Sequence, residues 1–204
     1  MKRKQVGSVR IGISGWTYPP WRGVFYPADL SQKRELSYGS RIFPTIEING
    51  TFYSLQRPKS FLKWREETPD DFIFSVKATR YITHIRRLRE IETPLANFFA
   101  SGLLALGPKL GPILWQFPPN FTFKPELLEN FFRLLPKATE QAADLASGHD
   151  AWQKEKAFLG PVTQGRYAMQ WRRAMRALPA RSLLRCCANT VWRWCAPIRR
   201  SGRG

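Results

Sequence analysis

"PTIEIN", Pro44 to Asn49, decides how the rest of the chain is read. As a strand its side chains alternate, so Thr45, Glu47 and Asn49 share one face while Ile46 and Ile48 share the other. In a (β/α)8 barrel the apolar face packs on the helices. The polar face points inward, towards the C-terminal mouth where active sites lie. A doubly wound α/β sheet is the rival, and it needs a glycine-rich phosphate loop after the first strand. "SGWTYPPW", Ser14 to Trp21, puts aromatics where those glycines would be. The reading is therefore α/β: a partial (β/α)8 TIM-barrel-like fold.

Working outward, "SVRIGIS" (Ser8 to Ser14) reads as the strand before this one. "DFIFSVK" (Asp71 to Lys77) and "GPILWQF" (Gly111 to Phe117) are the two after it, and "RYAMQW" (Arg166 to Trp171) is a candidate fifth. Between them lie helical patterns. Pro58 to Thr68 has proline in its first turn, Thr93 to Gly107 has Thr93 as the expected N-cap, and Lys124 to Pro136 is stopped by its proline. Ala138 to Ser147 continues helical. Strands alternating with helices imply parallel βα units, about four to five of them. The strands carry polar residues at their C-terminal ends: Glu47 and Asn49, Ser75 and Lys77, and Gln116.

Composition sets the outer bounds. The 204 residues are 43% hydrophobic, which is globular rather than disordered composition, and carry a formal net charge of +18. No apolar run is long enough for a membrane span, and the basic N-terminus lacks the apolar core of a secretory signal, so a cytoplasmic protein with free thiols and no membrane partner is expected. The charge is uneven. Beyond Glu155, the last acid, the chain carries one lysine and ten arginines. A basic tail of this kind is an electrostatic surface for nonspecific nucleic acid, and a basic nucleic-acid-binding protein is the alternative function.

Four stretches, in order, carry a family resemblance: "GISGWTYPPWRGVFYP" (Gly12 to Pro27), "FPTIEINGTFYSL" (Phe43 to Leu55), "WREETPDDFIFSVKATRYITH" (Trp64 to His84) and "LGPILWQFPPNF" (Leu110 to Phe121). They resemble the domain-of-unknown-function 72 (YecE-like) family. The resemblance implies a TIM-barrel-like fold with no securely assigned reaction, in an enzyme or ligand-binding protein with its site at the strand C-termini. It covers roughly residues 8–172, the first half or so of a barrel of ~250 residues.

The last stretch breaks the pattern. In the family, a strand like "AMQWR" is followed by motifs like "RHESF" and "HGVALVCADT", and neither is visible after Arg172. Both are permitted in one shifted frame, built from the third base of each codon and the first two of the next. Cys195 after Trp194 then encodes Val without choice, and Asn189 to Arg199 permit "EHGVALVCADT". Ala174 to Leu178 permit "RHESF" by the same rule. The expectation is a slip between about Trp171 and Ala174, by one base lost or two gained. It leaves residues 1–172 as an incomplete barrel domain, inactive by itself in this reading, and 173–204 as a basic out-of-frame tail without regular structure. Cys186, Cys187 and Cys195 are then accidents. Their spacing is no metal motif, and no metal or cofactor is expected.

Glu47, Lys77 and His84 are the candidate catalytic residues. Glu47 is a carboxylate at the expected mouth, with a buried structural ion pair as its plain alternative. Lys77 is a counter-charge or anion ligand, or else a lysine reaching solvent from a strand end. His84 is an acid, base or ligand, or a surface histidine at the start of a helix. Asn49 and Gln116 are candidate hydrogen-bonding ligand contacts. Trp16, Tyr18, Trp21 and Tyr53 are a candidate aromatic wall, against the commoner role of aromatics as core. Lys77 and Gln116 suit a small or phosphate-bearing ligand. Restoring the frame between the Trp171 and Ala174 codons is expected to give a soluble barrel of roughly 250 residues with cooperative unfolding. Unchanged solubility and unfolding after repair would show that the tail is not the defect.

Overall fold

The computed structural model describes residues 9–161 and two further strands, residues 169–173 and 192–195. Among the described residues six strands form one parallel sheet in the order of the chain: β1 (Ile13–Ser14), β2 (Thr45–Ile48), β3 (Ile73–Lys77), β4 (Leu110–Phe117), β5 (Met169–Arg173) and β6 (Trp192–Cys195). Each crossover steps to the next neighbour and none reverses. That is the winding of a barrel wall, whereas a doubly wound sheet turns back at a switch point.

The expected boundary at residue 172 falls inside β5. Within the stretch expected to lack regular structure, Trp192–Cys195 pair in register with Met169–Arg172. Residues 174–191 and 196–204, including Cys186 and Cys187, lie outside the described residues.

Among the described residues there are six α-helices: α1 (Glu35–Ile42), α2 (Gly50–Tyr53), α3 (Pro58–Glu67), α4 (Glu92–Ala100), α5 (Pro125–Leu134) and α6 (Thr139–Ser147). α3 and α5 each begin on a proline, whose missing N–H belongs to a position without an intrahelical partner. α5 buries Leu128, Phe131 and Phe132, an i, i+3, i+4 stripe. α4 departs from the sequence pattern at both ends. Its first turn is closed by Leu95 N–H donating to the Ile91 carbonyl, so Ile91 rather than Thr93 is the N-cap. It stops at Ala100 because Gly102 takes φ +113°, where a β-carbon would also lie 2.5 Å from Pro58 Cα. Leu103–Lys109 then continue as tighter 3-10 turns.

The core lies between sheet and helices. Ile46, Ile48, Phe74, Val76, Ile113 and Trp115, the alternate residues of β2, β3 and β4, are at most 1% exposed. Trp115 meets Phe131 of α5 edge-on at 4.9 Å and Phe98 of α4 at 5.8 Å. The other parity, Thr45, Glu47, Ser75, Lys77 and Gln116, is half-buried on the opposite face. β1 is much shorter than its apolar pattern: only Ile13 and Ser14 pair with β2, and Val9 and Ile11 are exposed.

The ends of the strands opposite the site are closed by cations. Lys109, 6% exposed, donates from Nζ to the carbonyls of Arg65 and Thr68, both at 2.7 Å, tying the end of α3 to the start of β4. Arg10 donates to the Asp71 carbonyl at 3.0 Å and to that of Pro44 at 3.4 Å. Lys109→Met takes the donor from the buried Thr68 carbonyl and leaves the Arg65 carbonyl only the Thr68 hydroxyl at 3.3 Å, and is expected to cost ~1–3 kcal/mol, read as a lower urea midpoint at constant slope. An unchanged midpoint would show that the lysine is not a structural tie.

Candidate functional site

At the C-terminal ends of β1 to β3 the inward-facing polar residues meet. Ser14 ends β1 and opposes Glu47 in the β1–β2 register. Its hydroxyl donates to Glu47 Oε1 at 3.0 Å and accepts from Asn49 Nδ2 at 2.8 Å. Gly15 follows with φ +78°, turning the chain while its N–H donates to the Glu47 carbonyl at 2.9 Å. The Tyr18 hydroxyl donates to the Ser14 carbonyl, which folds the loop back over the strand end.

Lys77 ends β3 on the same parity, two residues after Ser75, which opposes Glu47. Thr51 of α2 locks these ends together, donating to the carbonyls of Lys77 at 2.6 Å and Ile48 at 2.9 Å. Lys77 Nζ lies 4.6 Å from the centroid of the Phe52 ring, a cation–π distance. The Phe52 ring meets His84 edge-on at 5.1 Å. His84 sits in a π-turn, Tyr81–Ile85, with Thr83 Oγ1 2.8 Å from its Nδ1. Burial is the first cause holding the imidazole pKa below its ordinary value, followed by the positive charges of Arg80, Lys77 and Arg87. Arg87 and Leu88, just beyond the π-turn, both have positive φ, a rare backbone for residues with a β-carbon.

The structure thus brings Glu47, Asn49, Tyr18, Lys77 and His84 to one end of the sheet. Gln116 lies at the same end of β4, half-buried on the inward parity. The remaining aromatics go elsewhere. Trp16 packs edge-on against Trp64 of α3 at 5.4 Å, joining the core. Trp21 meets Tyr18 at 4.6 Å with the rings tilted, within a loop cluster with Phe25 and Tyr26. That cluster is anchored by buried Glu35, which pairs with Arg22 at 2.7 Å. Tyr26, donating to the Trp16 carbonyl at 2.7 Å, has its phenol pKa pushed up to about 12, first by burial and then by Glu35. Tyr53 is exposed and forms no common wall with Trp16, Tyr18 and Trp21.

Sequence reading missed Ser14, Phe52, Arg80 and Thr83. Ser14 was detectable: it ends a strand immediately before a turn glycine, on the inward parity. Phe52 and Arg80 had no sequence signal, since the short helix α2 and the π-turn set their approach to His84. Among the described residues, no group of three or more His, Cys, Asp or Glu side chains gathers as a metal site. No helix of the described residues is long and apolar enough to cross a membrane.

A single-wound parallel sheet with its polar residues gathered at the strand C-termini defines a barrel-type α/β protein. The family model described as "Protein of unknown function DUF72" matches residues 10–175, and the chain belongs to that family. It is similar to the UPF0759 protein YunF of Bacillus subtilis (strain 168), 33% identical over 123 residues, 58% of this chain and 43% of that protein. It is also 32% identical over 113 residues to the UPF0759 protein YecE of Escherichia coli (strain K12), covering 55% of this chain and 39% of YecE. The alignments therefore span about two fifths of these relatives. Among solved structures, a DUF72 family protein from Thermotoga maritima MSB8 superposes with a TM-score of 0.54 at 24% identity, covering 80% of this chain and 55% of that one. Another, from Enterococcus faecalis V583, gives 0.59 at 15% identity over 91% and 59%. At these identities the likeness is one of fold.

The His84 shift has a pH consequence. The folded imidazole resists protonation that the unfolded chain accepts near the ordinary 6.5. Its contribution to stability is therefore full above that pH and falls as pH drops below it. Ring-proton NMR is expected to show His84 titrating below 6.5, with Arg80→Gln moving it upward. An unshifted His84 would place it in open solvent.

Proposed function

We propose that the strand-end cluster is the ligand site of this family, and that it takes a small anionic, phosphate-bearing ligand. The observation that carries this reading is that Lys77 and His84 meet on one ring at the strand end: Lys77 Nζ lies 4.6 Å from the Phe52 centroid and His84 packs on it at 5.1 Å, with the charges of Arg80 and Arg87 also reaching His84. Such a surround favours an anion. Lys77 is the charged contact, and Asn49 and Gln116 supply hydrogen bonds. Glu47, oriented by Ser14 at 3.0 Å, is the group able to take a proton from a bound hydroxyl or amine. His84, neutral at pH 7, is a second group able to give or take one. Cytoplasmic residence belongs to the same reading.

The part of this reading that concerns the chain as a whole is that residues after about Trp171 are translated out of frame, so the full family activity is absent from it. Two hidden family motifs support this, and so does a family match that covers residues 10–175.

Titration of the chain with inorganic phosphate tests the site. Lys77→Met is expected to weaken binding about tenfold or more, the loss of one charge-assisted hydrogen bond. Glu47→Gln is expected to retain it. Binding that is indifferent to Lys77 yet falls steeply with salt would instead assign it to the basic tail, the nucleic-acid reading.

A further inference from the structure

Beside the strand ends, where α2, the π-turn, α4 and the 3-10 turn Ala151–Lys156 meet, lies a cleft of ≈ 730 Å³. That volume is in the range of small-molecule sites. Three aromatic rings from three separate elements border it and remain open to solvent: Tyr53 at 71% exposure, Tyr81 at 46% and Trp152 at 59%. One exposed aromatic needs no explanation, but three around one concavity do. Trp152 is held in place, because Lys156 Nζ lies over its ring, 4.6 Å from the centroid. A cation on one face of the indole leaves the other for a ligand.

The polar side of the cleft is prearranged. Asn97 Nδ2 donates to Asp150 Oδ2 at 2.9 Å, and the Asp150 N–H donates back to Asn97 Oδ1 at 3.1 Å. Asp150 Oδ1 also accepts from the Gln153 N–H at 3.3 Å. The paired amide and carboxylate therefore have fixed orientations and offer both donor and acceptor atoms. The charge is equally telling. Arg86 is neutralised by Glu90, and Asp150 offsets Lys156 over Trp152, so these four groups carry no net charge in a chain whose net charge is +18. A neutral ligand suits this cleft, in contrast to the strand ends.

We propose that this cleft binds a neutral saccharide. A pyranose has an apolar C–H face that stacks on aromatic rings, and hydroxyls that need donors and acceptors together. Trp152, Tyr81 and Tyr53 supply the first, Asn97 and Asp150 the second. The inference does not rest on the anion site, whose charged residues are different ones.

The test uses the 204-residue chain with methyl glycosides of glucose, galactose, mannose, xylose and N-acetylglucosamine, and with cellobiose. Adenosine and inorganic phosphate serve as comparison probes. Saturation-transfer NMR is expected to show at least one glycoside bound, with saturation strongest on ring C–H protons. Trp152→Ala and Tyr81→Ala are each expected to weaken that binding tenfold or more, and Trp152→Phe to restore most of it. Both positions are exposed, and an unchanged unfolding midpoint confirms that the variants fold. The proposal is overturned if no glycoside binds, if binding survives Trp152→Ala, if adenosine binds in preference, or if phosphate competes with the sugar.

Discussion

Parallel pairing makes every strand finish at the same end of the sheet, and the candidate site depends on that constraint. Ser14, Asn49 and Lys77 are 28 to 63 positions apart in the chain, yet each lies at or just beyond the end of its strand. The register then fixes who meets whom: Ser14 opposes Glu47, and Glu47 opposes Ser75. The hydrogen bonds from Ser14 to Glu47 and from Asn49 to Ser14 follow from this arithmetic. So does the separation from the core, because the intervening residues Ile46, Ile48, Phe74 and Val76 face the helices.

Much of this was legible because a strand has a fixed period. The polar parity of Glu47, Lys77 and Gln116 and the apolar parity of Ile46 and Trp115 could be read from single stretches. The winding could also be read, from alternating elements and from the aromatic "SGWTYPPW" in place of a phosphate loop. Element ends were less legible. Nothing in the apolar pattern of Ser8 to Ser14 says that only its last two residues find ladder partners. The helix after Thr93 looks continuous through Gly107, since a backbone turn at Gly102 is a conformational fact and not a compositional one. Aromatics were least legible of all. Trp16 and Tyr53 look alike in sequence as candidate wall residues, but one packs on Trp64 and the other faces solvent. The cleft beside Tyr53 has no signature in the sequence because its walls come from segments separated by almost a hundred residues, and no local pattern links Tyr53 to Trp152.

Charge divides the same end of the molecule into two regions of different character. Around His84, burial and then the charges of Lys77, at the end of β3, and of Arg80 and Arg87, on either side of the π-turn, hold the imidazole pKa down. A short way along the surface, Arg86 is matched by Glu90, and Asp150 is tied to Asn97. The net charge of the chain, +18, hides this contrast. Phe52 and Tyr53, adjacent in α2 with rings 5.2 Å apart, stand one on each side of the divide.

At the far end of the sheet, Lys109 and Arg10 close the backbone with hydrogen bonds to the carbonyls of Arg65, Thr68 and Asp71. This gives the molecule a sealed floor and a chemically open roof. Substitutions in the floor act on whether the sheet persists, and substitutions in the roof act on what it holds. The loops above β1 to β3 carry both tasks, since Thr51 and Trp16 tie them to the frame, and new specificities can arise only at the side chains between those ties.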